Sequence, residues 1–173
     1  MLLGRSADRD RVVYGSVVSG RPAGLEGVET MVGLFINVLP VAVRLPSDGQ
    51  LLPWLHALQA SLAELRQHEH APLAKIRHWL GVAERAPLFE SMLAFENYPA
   101  ASSLVAAHGG SLGWDRLYTA EQWNHPLHAI VIPEDEVVVR LIYDPRRFDD
   151  ATVGGLLEGY RSLLAEWPSR IAP

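Results

Sequence analysis

The sequence contains no cysteine. That absence excludes disulfides, thiolate metal sites, a cysteine nucleophile and iron–sulfur ligation together. Lysine is nearly missing as well: of 15 basic residues only Lys75 is a lysine, a skew of the kind a GC-rich genome produces and one that says little about chemistry. Twenty acidic residues leave a formal net charge of −5. No basic field is available to neutralise phosphates, so a nucleic-acid partner is not expected. No apolar run reaches the roughly 18 residues of a transmembrane helix, and the opening MLLGRS lacks the basic start and apolar stretch of a signal peptide. A cytoplasmic protein that does not enter a membrane is the expectation. Also missing are HExxH, GxSxG and the phosphate-cradling GxxxxGK[ST]. What remains is ordinary: 173 residues, 49% hydrophobic and 20% charged, the make-up of one globular domain with a core of its own.

Hydropathy patterning divides the chain into strands and helices in mixed order. Residues 1–4 read as a scrap of apolar helix, too short to nucleate alone. Residues 11–19 are rich in β-branched side chains and read as a strand closed by Gly20 and Pro22. Residues 23–33 read as a loop with a short helical turn. The apolar run 34–45 reads as a mostly buried strand, with Pro40 at a bulge or an unpaired position. Ser47 or Asp48 can cap a helix on which Leu51, Leu55, Leu58, Leu62 and Leu65 form one stripe. A second helix starts near Pro72, buries Leu73, Ile76 and Leu80, and stops at Gly81. Residues 91–96 read as a short strand, and the stretch after it, rich in Ala, Ser, His and Gly, as a loop. Residues 127–132 and 136–143 read as a hairpin. Asp149 is the expected N-cap of a last helix carrying Val153, Leu156, Leu157, Tyr160, Leu163, Leu164 and Trp167 on one face, ended by Pro168. The intermixing predicts an α/β fold, a sheet with helices packed on it.

Seven histidines invite a search for chemistry. His68 and His70 lie two apart, a spacing that does not place two ligands on one helix face. His56 and His78 read as solvated or boundary residues of amphipathic helices. His125 and His128 flank Pro126 and Leu127 where a strand begins and are the pair that could face a ligand. Spacing and composition assemble no catalytic set.

Three segments carry a resemblance: VVYGSVVSGRP (12–22), MVGLFINVLP (31–40), and HEHAPL (68–73) together with PLFESMLAFEN (87–97). In this order and at these distances the chain resembles the C-terminal lobe of a nonribosomal peptide synthetase condensation domain, over essentially all of residues 1–173. The VGLFIN stretch favours a condensation domain over its epimerisation relatives.

The resemblance implies a chloramphenicol acetyltransferase-like lobe with a mixed sheet and packed helices, one half of a V with a tunnel between the halves. It implies amide-bond formation between a donor acyl or peptidyl thioester and an acceptor aminoacyl thioester. Both are delivered on phosphopantetheine arms of carrier proteins, with no cofactor bound by this chain. The implied partners are the N-terminal lobe, donor and acceptor peptidyl carrier proteins and a neighbouring adenylation domain, with self-association of the lobe when isolated. The family's HHxxxDG motif belongs to the other lobe, and no two histidines are adjacent here. The chain is therefore expected to carry no catalytic residue and to be inactive alone. By resemblance Ser19, Gly20 and Arg21 line the tunnel floor, Asn37 contacts substrate or satisfies neighbouring backbone, and His125 is the local histidine nearest the chemistry. Arg21 would reach a carboxylate or carbonyl across the interface, or pair with Glu26 or Glu29. Glu96 and Asn97 read as a structural strand terminus, and residues 100–123 as a crossover to the other lobe. The rival readings are a stand-alone interaction module and a fragment of a carrier-independent acyltransferase.

Overall fold

In the computed structural model, residues 1–21, 24–46, 51–83, 86–97, 124–133 and 136–171 are described. The element order is α1 (Leu2–Ser6), β1 (Arg11–Val18), β2 (Asn37–Arg44), α2 (Leu51–Arg66), α3 (Leu73–Trp79), β3 (Ser91–Phe95), β4 (Leu127–Pro133), β5 (Val137–Tyr143) and α4 (Asp150–Ile171). The five strands form one sheet in the order β2-β1-β3-β4-β5. The β1–β2 and β4–β5 pairs are antiparallel, whereas β1–β3 and β3–β4 are parallel. This is the expected α/β class with a mixed sheet and packed helices.

Period-two alternation sorts the sheet into two faces. Val12, Tyr14 and Ser16 stand beside Val43, Val41 and Leu39 on one of them, where α1, α2 and α4 pack. Leu39 is completely buried there. Gly15, Met92 and His128 align across three strands on the other face. Phe89 lies over Gly15, where an added Cβ would come within 2.4 Å of its ring.

The structure moves several expected boundaries. The strand read as 34–45 is only Asn37–Arg44, and Leu34 and Ile36 stand outside it. Pro40 makes no bulge: the register runs unbroken from Arg11↔Arg44 to Val18↔Asn37. Because β2 is an edge strand, a residue without an N–H is tolerated on its open side. Leu80 is 61% exposed rather than buried, because α3 ends at Trp79 and Leu80 is already its C-cap, ahead of Gly81 at φ +64°. Pro168 does not end α4, which runs on to Ile171. Its missing N–H forfeits one intrahelical bond, to the Leu164 carbonyl, and only the last turn of the helix follows it.

Other expectations hold. Asp149 caps α4, its Oδ1 accepting from the Thr152 N–H at 2.7 Å. The leucine stripe of α2 faces inward, although only Leu51 is buried outright. The short α1 persists through tertiary contact, with Leu2 against Gly159 of α4. Ser47, Asp48 and residues 100–123 lie outside the described residues.

Candidate functional site

The sequence candidates fall into two groups. The first gathers at the C-terminal end of β1. Gly20 has φ +65°, and a Cβ there would lie 1.7 Å from the Phe35 carbonyl oxygen, so position 20 admits glycine alone. The freed backbone N–H of Gly20 donates to Glu69 Oε2 at 3.1 Å, and the Ser19 hydroxyl donates to the same oxygen at 3.3 Å. Asn37, paired with Val18 in the ladder, reaches the same helical turn from β2. Its Nδ2 donates to the Glu69 and Ala71 carbonyls, each at 2.8 Å. Ser19, Gly20 and Asn37 thus converge on the turn between α2 and α3. There the amide of Asn37 satisfies neighbouring backbone.

Arg21 turns the other way. Its Nη1 donates to the Val28 carbonyl, its Nη2 to the Met31 carbonyl at 3.0 Å, and its guanidinium carbon lies 4.2 Å from the centroid of the Phe35 ring. It grips the loop between β1 and β2 by two carbonyls and an aromatic face, in place of Glu26 or Glu29. Loop residue Val28 is buried by this arrangement, while Val32 is fully exposed, Leu34 is 93% exposed and Ile36 is 55% exposed. The structure therefore fixes the loop's base and presents its apolar side chains outward.

The second group lies at the opposite end of the sheet. Because β1 and β4 both run parallel to β3, His125, just before β4, cannot approach Ser19, just after β1. The His125 ring sits 5.0 Å from Phe89 and 5.9 Å from His128, centroid to centroid. Burial pushes the His125 imidazole below its ordinary range, against a backbone hydrogen bond at Phe89 that raises it. Burial also lowers His128, the proximity of His125 adds to this, and a backbone hydrogen bond at His125 opposes it. Both rings are neutral at pH 7, which suits an imidazole that accepts a proton or a hydrogen bond.

A pH dependence follows from these directions. A base whose folded pKa is depressed contributes stability that is fully present above its unfolded pKa of about 6.5. That contribution is lost as pH falls through the folded values. Urea midpoints are expected to drop between pH 7.5 and pH 5, and less so in His128→Gln. A midpoint as pH-sensitive in His128→Gln as in the parent chain would refute the assignment to this pair.

Two residues of this geometry carry no signal in the sequence. Glu69 sits between His68 and His70 inside one of the resembling segments, yet nothing in its spacing marks it as the acceptor for a loop some fifty residues away. Phe89 looks like one apolar residue among several. His68 and His70 are both exposed, and no group of three or more potential metal ligands occurs among the described residues. No helix among them is long and apolar enough to cross a membrane.

Residues 1–169 match the condensation domain family. One of the linear gramicidin synthase proteins of Brevibacillus parabrevis is 41% identical over 171 residues, covering 94% of this chain and 3% of that protein. A second linear gramicidin synthase protein from the same organism is 39% identical over 170 residues, covering 98% of this chain and 2% of that protein. The chain thus spans a few hundredths of the length of these curated relatives. Among solved structures, the condensation domain from Monacolin K polyketide synthase superposes with a TM-score of 0.74 at 19% identity, covering 96% of this chain and 38% of that one. A four-domain nonribosomal peptide synthetase bound to AMP and glycine gives a TM-score of 0.77 at 14% identity, covering 95% of this chain and 14% of that one. At these identities the structures speak for the fold, and the sequence match speaks for the family. With the family matched over residues 1–169, the chain belongs to the condensation domains of nonribosomal peptide synthetases.

Proposed function

We propose that the chain is the C-terminal lobe of a condensation domain and forms one wall of its substrate tunnel. The observation that carries this reading is the loop between β1 and β2. Its base is held by Arg21, Gly20 and Asn37, yet it turns Val32, Leu34 and Ile36 outward. A cluster of apolar side chains turned into water marks a contact surface. The cover proposed is the N-terminal lobe that would carry the histidine motif. The share of the condensation domain structure that the chain matches, 38%, supports a part of a domain rather than a whole one.

In this reading carrier proteins bring two phosphopantetheine arms into the space between the lobes. The acceptor amine attacks the donor thioester carbonyl. A C–N bond forms, the C–S bond breaks, and the amine proton ends on the released thiol. This lobe supplies position: orientation needs the reacting atoms about 3–3.5 Å apart, and a single wall leaves them open to water. Ser19, Gly20, Arg21 and Asn37 serve by fixing the tunnel-floor loop, and His125 is the ring this lobe would present at the opposite end of the sheet.

The test loads donor and acceptor carrier proteins with their thioesters and adds this chain, with and without an N-terminal lobe. Amide product is expected only with both lobes, at least about a hundredfold above the single-lobe background, the usual worth of one positioned proton-transfer group. Product from this chain alone, abolished by His125→Ala, would overturn the reading.

A further inference from the structure

Two sets of contacts hold the loop between β1 and β2, and they act differently. Among the described residues, the contacts of the Arg21 side chain fall inside the loop itself, on the Val28 and Met31 carbonyls and the Phe35 ring. Arg21 therefore fixes the shape of the loop, not where the loop stands. Its place against the helices is set from outside, by Glu69. One oxygen of this half-buried carboxylate, Oε2, accepts from the Gly20 N–H at 3.1 Å and from the Ser19 hydroxyl at 3.3 Å. The Arg21 N–H donates in turn to Ser19 Oγ at 3.3 Å, so one acceptor orders three consecutive residues.

Glu69 is itself anchored on both sides. Its N–H donates to the Arg66 carbonyl at 3.2 Å, and its own carbonyl accepts from Asn37 Nδ2 at 2.8 Å. Just beyond it, the Pro72 carbonyl accepts from the Lys75 N–H at 2.9 Å and starts α3. On its Cβ side Gly20 meets the Phe35 carbonyl, so it is gripped at two points by groups that cannot swing away. The two bonds to Glu69 are longer than the roughly 2.5–2.9 Å of strong charge-assisted hydrogen bonds. What the seat requires is an acceptor oxygen at that reach, which a glutamine amide also supplies.

We propose that Glu69 is a positioning residue for amide formation: it seats Ser19 and Gly20 on the turn between α2 and α3 and so sets where the tunnel floor stands. The proposal rests on the tunnel reading above. In that reading Glu69 meets no reacting atom and acts through the loop alone. Reaction geometry is sensitive to such placement, since a shift of about 1 Å far from the chemistry can cost roughly a hundredfold.

The test uses this chain joined to an N-terminal lobe, with donor and acceptor carrier proteins loaded with their thioesters. Glu69→Ala removes the acceptor, Glu69→Asp keeps the charge but draws it back by one methylene, and Glu69→Gln keeps the reach without the charge. Glu64→Ala, at an exposed position of α2 outside the seat, is the control. For Glu69→Ala and Glu69→Asp, kcat is expected to fall at least about tenfold in folded protein. KM for the loaded acceptor carrier should change less than about threefold, because a misplaced floor disorients the thioesters without removing a carrier contact. Exchange of the Gly20 amide proton should quicken in both. Glu69→Gln should recover kcat to within about threefold of the parent and restore protection at Gly20. Glu64→Ala should match the parent.

A Glu69→Ala kcat close to the parent's would overturn the proposal. So would Glu69→Gln as slow as Glu69→Ala, since the charge and not the seat would then matter. A raised KM at unchanged kcat would overturn it too, by making Glu69 a contact of carrier or substrate. If Glu69→Ala does not fold, Glu69→Asp against Glu69→Gln carries the same decision. The two readings fail distinguishably. A parent domain that makes no amide sinks the tunnel reading and this one with it, whereas an active parent indifferent to Glu69 sinks this one alone.

Discussion

Replacing Gly20 by alanine is expected to cost more than about 3 kcal/mol, the range reserved for changes the backbone cannot absorb. Two penalties combine. A non-glycine residue in the left-handed region costs roughly 1–2 kcal/mol, and φ at this position is +65°. The new Cβ would also lie 1.7 Å from the Phe35 carbonyl oxygen, which is backbone and cannot rotate away. Relief would require the chain to swing out, which would break the bond from Gly20 N–H to Glu69 and release the loop that Arg21 holds. Two other glycines separate the penalties. Gly27 has φ +75° and open space around it, so Gly27→Ala should show the conformational cost alone, about 1–2 kcal/mol. Gly24 has open space and no positive φ, so Gly24→Ala should fall within about 0.5 kcal/mol of the parent. Urea unfolding of the three variants checks this order. If Gly20→Ala is no worse than Gly27→Ala, the close approach of Phe35 is not what fixes the loop.

The second large effect is expected at Asn37. Asn37→Asp swaps the nitrogen that serves two carbonyls for an oxygen that repels them. Losing two hydrogen bonds and setting a carboxylate against the acceptors should cost about 2–4 kcal/mol at pH 7. The deficit should shrink on acidification, because protonating the introduced carboxyl restores one donor. Measured as the difference from the parent chain at each pH, to remove the histidine contribution, it should be smaller at pH 4 than at pH 7. A deficit that does not change with pH would mean that the position suffers from shape alone. With the turn between α2 and α3 released, the Glu69 carboxylate loses its station as well, so the Gly20 amide proton should exchange faster.

The element types were readable because each rests on a local signal. The β-branched run of β1, the paired runs of β4 and β5, and the aspartate that caps α4 all act within a few residues. Their boundaries were less readable where a distant neighbour decides. Leu34 and Ile36 look like strand by composition, but β1 ends at Val18 and offers no partner beyond Asn37. Pro168 looks like a stop, but a proline in the last turn removes a single bond.

The candidate site shows the same division. Ser19, Gly20, Arg21 and Asn37 could be picked out by their resemblance, yet nothing local assigns them acceptors. Glu69 and the carbonyls of Val28 and Met31 became visible only when the loop and the turn between α2 and α3 were brought together. His125 was grouped with them in sequence, but the parallel order of β1, β3 and β4 sets it at the other end of the sheet, beside Phe89 and His128.

By itself, the sequence determined the class of the fold, the family and the exclusion of thiol chemistry, because composition, periodicity and short motifs are properties of neighbouring residues. Tertiary structure alone decided which carboxylate holds Gly20, which face of the β1–β2 loop meets water, and why a five-residue helix survives at Leu2–Ser6. Each depends on groups far apart in the chain, and the free energy of such a contact exists only once packing has brought them within reach of each other.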